Sequence, residues 1–173
     1  MRACFKAVTH ALLPVTRSHK GWSPYDDADQ GVHDYVIYAL DHHIAVQQQL
    51  YHTTIPLAYP TAVLLDAAAT QLVNARQMLA YSQSFFSGGG MFSCLSREDR
   101  IRTLSALENL QLDLYALPPP FQNNGGLIKY VTDALNRFTL FGYYSEWPAY
   151  GSTRLNAPEA RRLEWFPINW QLV

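Results

Sequence analysis

Residues 124–144 read NGGLIKYVTDALNRFTLFGYY. Apolar side chains recur at Leu127, Tyr130, Val131, Ala134, Leu135, Phe138 and Phe141, a three-and-four spacing that makes a broad stripe along an α-helix. Lys129, Asp133 and Arg137 fall at i, i+4 and i+8 on the other side, where opposite charges can pair. Gly142 marks the expected end of regular structure.

Working back from this helix, the chain offers more of the same. Ser96 can cap a helix whose first turn holds Glu98 and Asp99, and Ile101, Leu104, Leu107, Leu110 and Leu114 carry it to about residue 115 before three prolines at 118–120 stop it. Residues 61–84 are rich in Ala and Leu with no Gly or Pro, which predicts a long helix with Thr61 as N-cap. Residues 31–52 repeat apolar groups at Val32, Tyr35, Val36, Ala39, Leu40, Ile44 and Leu50, again at helical spacing. Near the N-terminus Phe5, Val8, Leu12 and Leu13 share a face that Pro14 brings to an end. The expectation is a mainly α-helical single domain, 1–173, of about five helices.

After Gly142 the periodicity fades. Residues 142–173 form an expected irregular arm that holds three of the four tryptophans, Trp147, Trp165 and Trp170, with one short helical turn near Pro158–Leu163. The stretch TLFGYYSEWPAYGSTRL, 139–155, has five aromatic rings and only two charged residues, Glu146 and Arg154. Rings at this density without catalytic groups suit either an arm folded back on its own helices or, the favoured expectation, contact with another protein, because burying one Trp removes about 150–250 Å² from water. Pro148, Pro158 and Pro167 stiffen the arm and lower the entropy lost on docking. Tyr143, Tyr144, Trp147, Tyr150, Arg154, Trp165, Phe166 and Trp170 are the expected partner-contact residues.

Composition suits burial against a partner, and an aromatic-rich core alone would give the same profile. Apolar residues make up 49% and charged residues only 16%, against an ordinary charged share of about 25%. Ten arginines outnumber three lysines, and Arg tolerates interfaces better. A net charge of −1 without a basic block excludes the electrostatic footprint of a nucleic-acid binder. No run approaches the roughly 18 apolar residues of a membrane span. The first residues resemble neither a secretory nor a twin-arginine signal, so a cytoplasmic protein is expected.

Chemistry-bearing patterns are thin. His33, His42, His43 and His52 lie on or beside one predicted helix with Asp34 and Asp41. Their spacing misses the i, i+3 or i, i+4 of a helical metal site, and no ExxH is present. Cys4 and Cys94 form no CxxC and read as reduced thiols. Gly88, Gly89 and Gly90 are followed by no lysine, which argues against a phosphate loop. No GxSxG occurs. Glu108, between leucines, reads as a boundary residue of its helix or as a buried carboxylate paired with an arginine. No catalytic, cofactor or metal residue is therefore assigned.

The order of three segments, GVHDYVIYAL after an ALLP helix end, SREDRIRTLSALE, and TLFGYYSEWPAYGSTRL, resembles the small subunit of gluconate 2-dehydrogenase (the subunit 3 family). Thr139, Gly142, Tyr144, Ser145, Pro148, Tyr150 and Gly151 carry the signature part of the resemblance. It implies a non-catalytic accessory subunit that binds and stabilises a large FAD-dependent oxidoreductase of the glucose-methanol-choline type, acting on a sugar or other alcohol. FAD is then expected in the partner and not in this chain. Relatives in that family often carry a twin-arginine signal; its absence here turns the expectation to a cytoplasmic complex. The competing expectations are an independent metal-dependent helical enzyme and a small-ligand-binding module.

Overall fold

A computed structural model describes residues 1–13, 31–44, 46–48, 53–79, 86 and 88–164. Among them five α-helices form: α1 (Arg2–Leu12), α2 (Val32–His42), α3 (Ala58–Asn74), α4 (Arg97–Glu108) and α5 (Gly125–Tyr144). The mainly α-helical expectation holds. α1 is the central element. It packs on the other four helices, and its Cys4, Phe5, Ala7, Val8 and Ala11 are all buried. Alanines at several of these positions let neighbouring backbones come close, while Phe5 fills the space between them. Leu13 follows in an extended conformation, as a residue before proline prefers.

Several helix bounds differ from the sequence reading. α2 ends at His42, and within the predicted 31–52 helix Val46–Gln48 forms instead a strand, β1, that pairs antiparallel with β2 (Thr53–Ile55) in the register Val46↔Ile55. The β-branched run Thr53–Ile55 favours extended backbone. α3 starts three residues before Thr61, which is buried and caps nothing. The free N–H of Ala58 is instead met by Asp41 Oδ1 at 2.8 Å. Pro60 lies within the first turn, where no intrahelical N–H is required. α3 stops at Asn74, ten residues short of the expected end. Arg76 takes φ 55° and Gln77 N–H donates to the Leu72 carbonyl at 3.0 Å, a Schellman closure without glycine. α4 closes the same way through Leu110, φ 54°, with Gln111 N–H on the Ala106 carbonyl at 2.8 Å. A separate 3₁₀ turn, Leu114–Ala116, follows.

Two starts agree with their cap chemistry. Ser96 Oγ accepts from Asp99 N at 3.1 Å, and Asn124 Oδ1 accepts from Leu127 N at 3.1 Å. α5 does not end at Gly142 but runs two residues further. Gly142 is needed for closeness, since a Cβ there would stand 2.8 Å from Tyr35 Cδ1 and 3.2 Å from Val32 Cγ1 on α2. Arg137 and Asp133 pair at 2.8 Å as expected.

The core contains one element the sequence reading passed over. Arg100 of α4 is 1% exposed. Its Nη2 donates to the Ser93 carbonyl at 2.8 Å, its Nε to the Phe92 carbonyl at 3.3 Å, and its Nη1 lies 3.4 Å from His10 Nδ1. Phe86 lies under the guanidinium, 5.0 Å from its Cζ. Burial pushes the Arg100 pKa down to about 10, which leaves it charged at neutral pH. Its neighbour Arg97 donates to the carbonyls of His10 and Leu13 at 3.1 and 2.7 Å, satisfying the open C-terminal end of α1.

Candidate functional site

The arm begins where α5 meets α2. Gly31, at the start of α2, holds φ 70°, a left-handed conformation that suits glycine. A Cβ there would also collide with the Arg154 guanidinium. The Gly31 carbonyl accepts from Trp147 Nε1 at 2.9 Å. That bond fixes an indole that is only 4% exposed. Tyr35 meets the Trp147 ring edge-on at 5.2 Å and Tyr38 lies tilted beside it at 5.9 Å. Tyr35 also stacks on Phe141 and meets Phe138 edge-on. Burial raises the Tyr35 phenol above its ordinary pKa.

Beyond Trp147 the chain makes a 3₁₀ segment, Trp147–Thr153, kinked at Gly151, and a 3₁₀ turn, Pro158–Ala160. The expected helical turn near Pro158 is therefore present, though shorter. Residues 149–153 and 162–164 are clasped together. Glu164 N–H donates to the Ala149 carbonyl at 2.9 Å, and Arg162 N–H to Thr153 Oγ1 at 3.0 Å. The Glu164 carboxylate accepts from Ser152 N at 3.0 Å and from Ser152 Oγ. Those bonds hold its pKa below the usual carboxylate value. Arg161 then crosses the rings, with its Cζ 5.1 Å from both the Tyr38 and the Trp147 centroids.

The expected contact residues divide between inside and outside. Trp147 is interior. Tyr143 and Tyr150 are half-buried, Tyr150 Oη donating to Glu146 Oε2 at 3.3 Å. Arg154 is half-buried and its Nε donates to the Gly151 carbonyl at 2.6 Å. Tyr144 is 76% exposed. Trp165, Phe166 and Trp170 lie outside the described residues. Two exposed rings were placed by the sequence on the buried stripe of α5: Tyr130 and Phe141. With Arg137 and Tyr144 they follow the spacing i, i+7, i+11, i+14, one outward face of the helix. Leu140 flanks it, also exposed.

The groups weighed for chemistry are scattered. His33 is buried beside Asp34, with Nε2 and Oδ1 3.5 Å apart, while His42 and His43 are exposed and touch Tyr38. His52 lies outside the described residues. Among the described residues no three His, Cys, Asp or Glu side chains come together as a metal site. Cys4 and Cys94 are both free thiols, and burial pushes Cys4 far up from its ordinary pKa, which makes it a poor nucleophile. Glu108 is exposed, which favours the boundary reading over a buried pair. Tyr35, Tyr38 and Arg161 were missed by sequence reasoning. The two tyrosines stand at i, i+3 on α2 and could have been flagged as a pair; nothing local marks Arg161. Among the described residues no helix is long and apolar enough to cross a membrane. Comparison with family models, with curated proteins and with solved structures gives no match.

Proposed function

We propose that this chain is a non-catalytic small subunit that binds and stabilises a larger FAD-dependent alcohol or sugar oxidoreductase. The observation that carries the binding role is the outward face of α5, where Phe141 is 61% and Tyr144 76% exposed beside Tyr130 and Leu140. Exposed rings grouped on one helix face are the usual anchors of a protein interface. The flavoprotein identity of the partner rests on the motif residues Thr139, Gly142, Tyr144, Ser145, Pro148, Tyr150 and Gly151. Six of these, all but Thr139, lie in the arm, residues 142–173, that begins at the end of that face. On this reading FAD and the redox chemistry belong to the partner, and the complex is cytoplasmic.

The test is recovery of the tagged chain from its native host. A large flavin-absorbing protein should co-purify with it and oxidise a sugar or alcohol. Phe141→Ala with Tyr144→Ala should weaken that association by about 30-fold or more, since truncating two anchor rings costs at least about 2 kcal/mol. The same double variant should melt within about 1.5 kcal/mol of the parent, because Tyr144 is outside the core and Phe141 gives up its stacking on Tyr35. A folded chain that recovers no flavoprotein, or that oxidises such a substrate alone, refutes the proposal.

A further inference from the structure

We infer that Tyr38 and Trp147 form a cation-recognition floor, occupied in this structure by Arg161 of the same chain and open to an arginine side chain of a binding partner in its place. The inference concerns the ring floor and stands apart from the flavoprotein reading. Its first support is geometry. One guanidinium lies 5.1 Å from each of two ring centroids, and the two rings are tilted by only 34° to one another. Their faces thus turn the same way, toward one positive charge. The Trp147–Gly31 hydrogen bond and the edge-on Tyr35 ring hold the indole in that pose independently of Arg161.

The second support is how poorly the present occupant is satisfied. Arg161 Nε donates to the Asn156 carbonyl at 3.1 Å, in an exposed setting. Its Nη2 is buried and has no hydrogen-bond partner among the described residues. A planar guanidinium with a buried donor left unmet is held mainly by the rings. A competitor that meets the same rings and brings its own acceptor would hold better.

The third support is the low cost of leaving. Residues 157–160 and 162–164 are exposed, so the departure of Arg161 uncovers chiefly the faces of Tyr38 and Trp147, which a competing guanidinium covers again. The clasp of Ser152 with Glu164 and Thr153 with Arg162 uses other groups. Side-chain rotation alone therefore empties the floor, with the backbone of the lobe in place. The exposed histidines His42 and His43 border the Tyr38 ring, so the vacated ring opens to solvent on that side.

The experiment titrates N-acetyl-arginine amide into the full chain and follows the Trp147 indole N–H resonance, assigned by its loss in Trp147→Phe. N-acetyl-citrulline amide, the uncharged isostere, is the control. Arg161→Ala should bind the arginine probe saturably and about threefold to thirtyfold more tightly than the parent chain, the span of a cation–π contribution. It should prefer arginine over citrulline by a similar factor, and Tyr38→Leu added to Arg161→Ala should remove the response. A native-like Arg161→Ala spectrum with no saturable shift, or with equal response to citrulline, overturns the inference. Should Arg161→Ala lose the native spectrum, Arg161→Gln is titrated by the same criterion. Loss of the native spectrum in both also overturns it, because Arg161 is then a structural part and not an exchangeable occupant.

Discussion

Substituting Arg100 sets two energies against each other. The guanidinium is fully buried, and among the described residues no carboxylate lies within 4.0 Å of it. Burying a cation costs several kcal/mol, so deleting it relieves a penalty. Its partners, however, are the backbone carbonyls of Phe92 and Ser93, which no side-chain replacement can remove. Arg100→Met keeps an unbranched stem of similar reach but leaves both carbonyls without their donor, at about 1–3 kcal/mol each. The contact with the Phe86 ring is lost as well, worth about 0.5–2 kcal/mol. The relieved desolvation offsets part of this, and the expected net loss is about 2–4 kcal/mol. For a domain of this size that is a fall in Tm of about 6–12 °C. Arg100→Lys keeps the charge but cannot span two carbonyls with one planar fork, so it should recover less than half the loss. Thermal melts followed by circular dichroism give both numbers. A Met variant melting within about 2 °C of the parent refutes the reasoning outright. A Lys variant as stable as the parent shows that charge, and not the fork, is what this position requires.

Three further outcomes follow from individual residues. Gly142→Ala should destabilise by about 1–2 kcal/mol through overpacking against Tyr35 and Val32; ordinary helix propensity gives the opposite sign, about 1 kcal/mol of gain, so denaturant midpoints decide between them. Arg76→Gly should stabilise by up to about 1 kcal/mol, because Arg76 is exposed and sits at φ 55°; a loss in the same assay argues against that closure of α3. Asp66 accepts from Phe92 N at 3.0 Å, and burial raises its pKa above the ordinary 3.8. The folded state therefore binds its proton more tightly than the unfolded chain does. Its contribution to stability is fully present below the ordinary carboxylate value and is lost as pH rises through the raised one. Asp66→Asn keeps an acceptor for Phe92 and should flatten the pH dependence of Tm across that window without loss at neutral pH; unchanged slopes count against the assignment.

The helices were legible where pattern and punctuation agree. Ser96 announces α4 because a short polar side chain before an apolar repeat has one local use, and the apolar stripe from Leu127 announces α5. The two C-terminal overshoots share a cause. α3 and α4 both turn at a left-handed residue that is not glycine, Arg76 and Leu110, so no residue marks the stop and the apolar pattern runs on past it. The start of α3 was misplaced because its cap, Asp41, is 17 residues away in the chain. Long-range caps of this kind leave no local trace. The buried Arg100 was unreadable for a similar reason: in REDRIRTL it resembles its exposed neighbour Arg102, and only the fold places the carbonyls of 92 and 93 around it.

The rings of α5 and the arm pose a different problem, since composition alone suggested that most of them would meet a partner. The fold separates them by geometry. α5 is apolar over a wider arc than its neighbours cover. Ile128, Val131, Leu135 and Gly142 face inward, and Tyr35 and Trp147 close over the next sector. Phe141 sits at the margin, stacked on Tyr35 by one face and exposed by the rest. Tyr144 is 76% exposed, with the Tyr143 ring edge-on to it at 5.0 Å. Trp147, one of the rings the sequence reading expected at a partner contact, is instead the part of the arm that holds it to α2. Its burial gives the exposed rings a fixed base, so under the proposed function their presentation to a partner would cost little further ordering. The interior ring and the exterior rings are thus mechanically linked, and if the exposed face binds the proposed partner, a substitution at Trp147 acts on that binding through the pose of Tyr35 and Phe141.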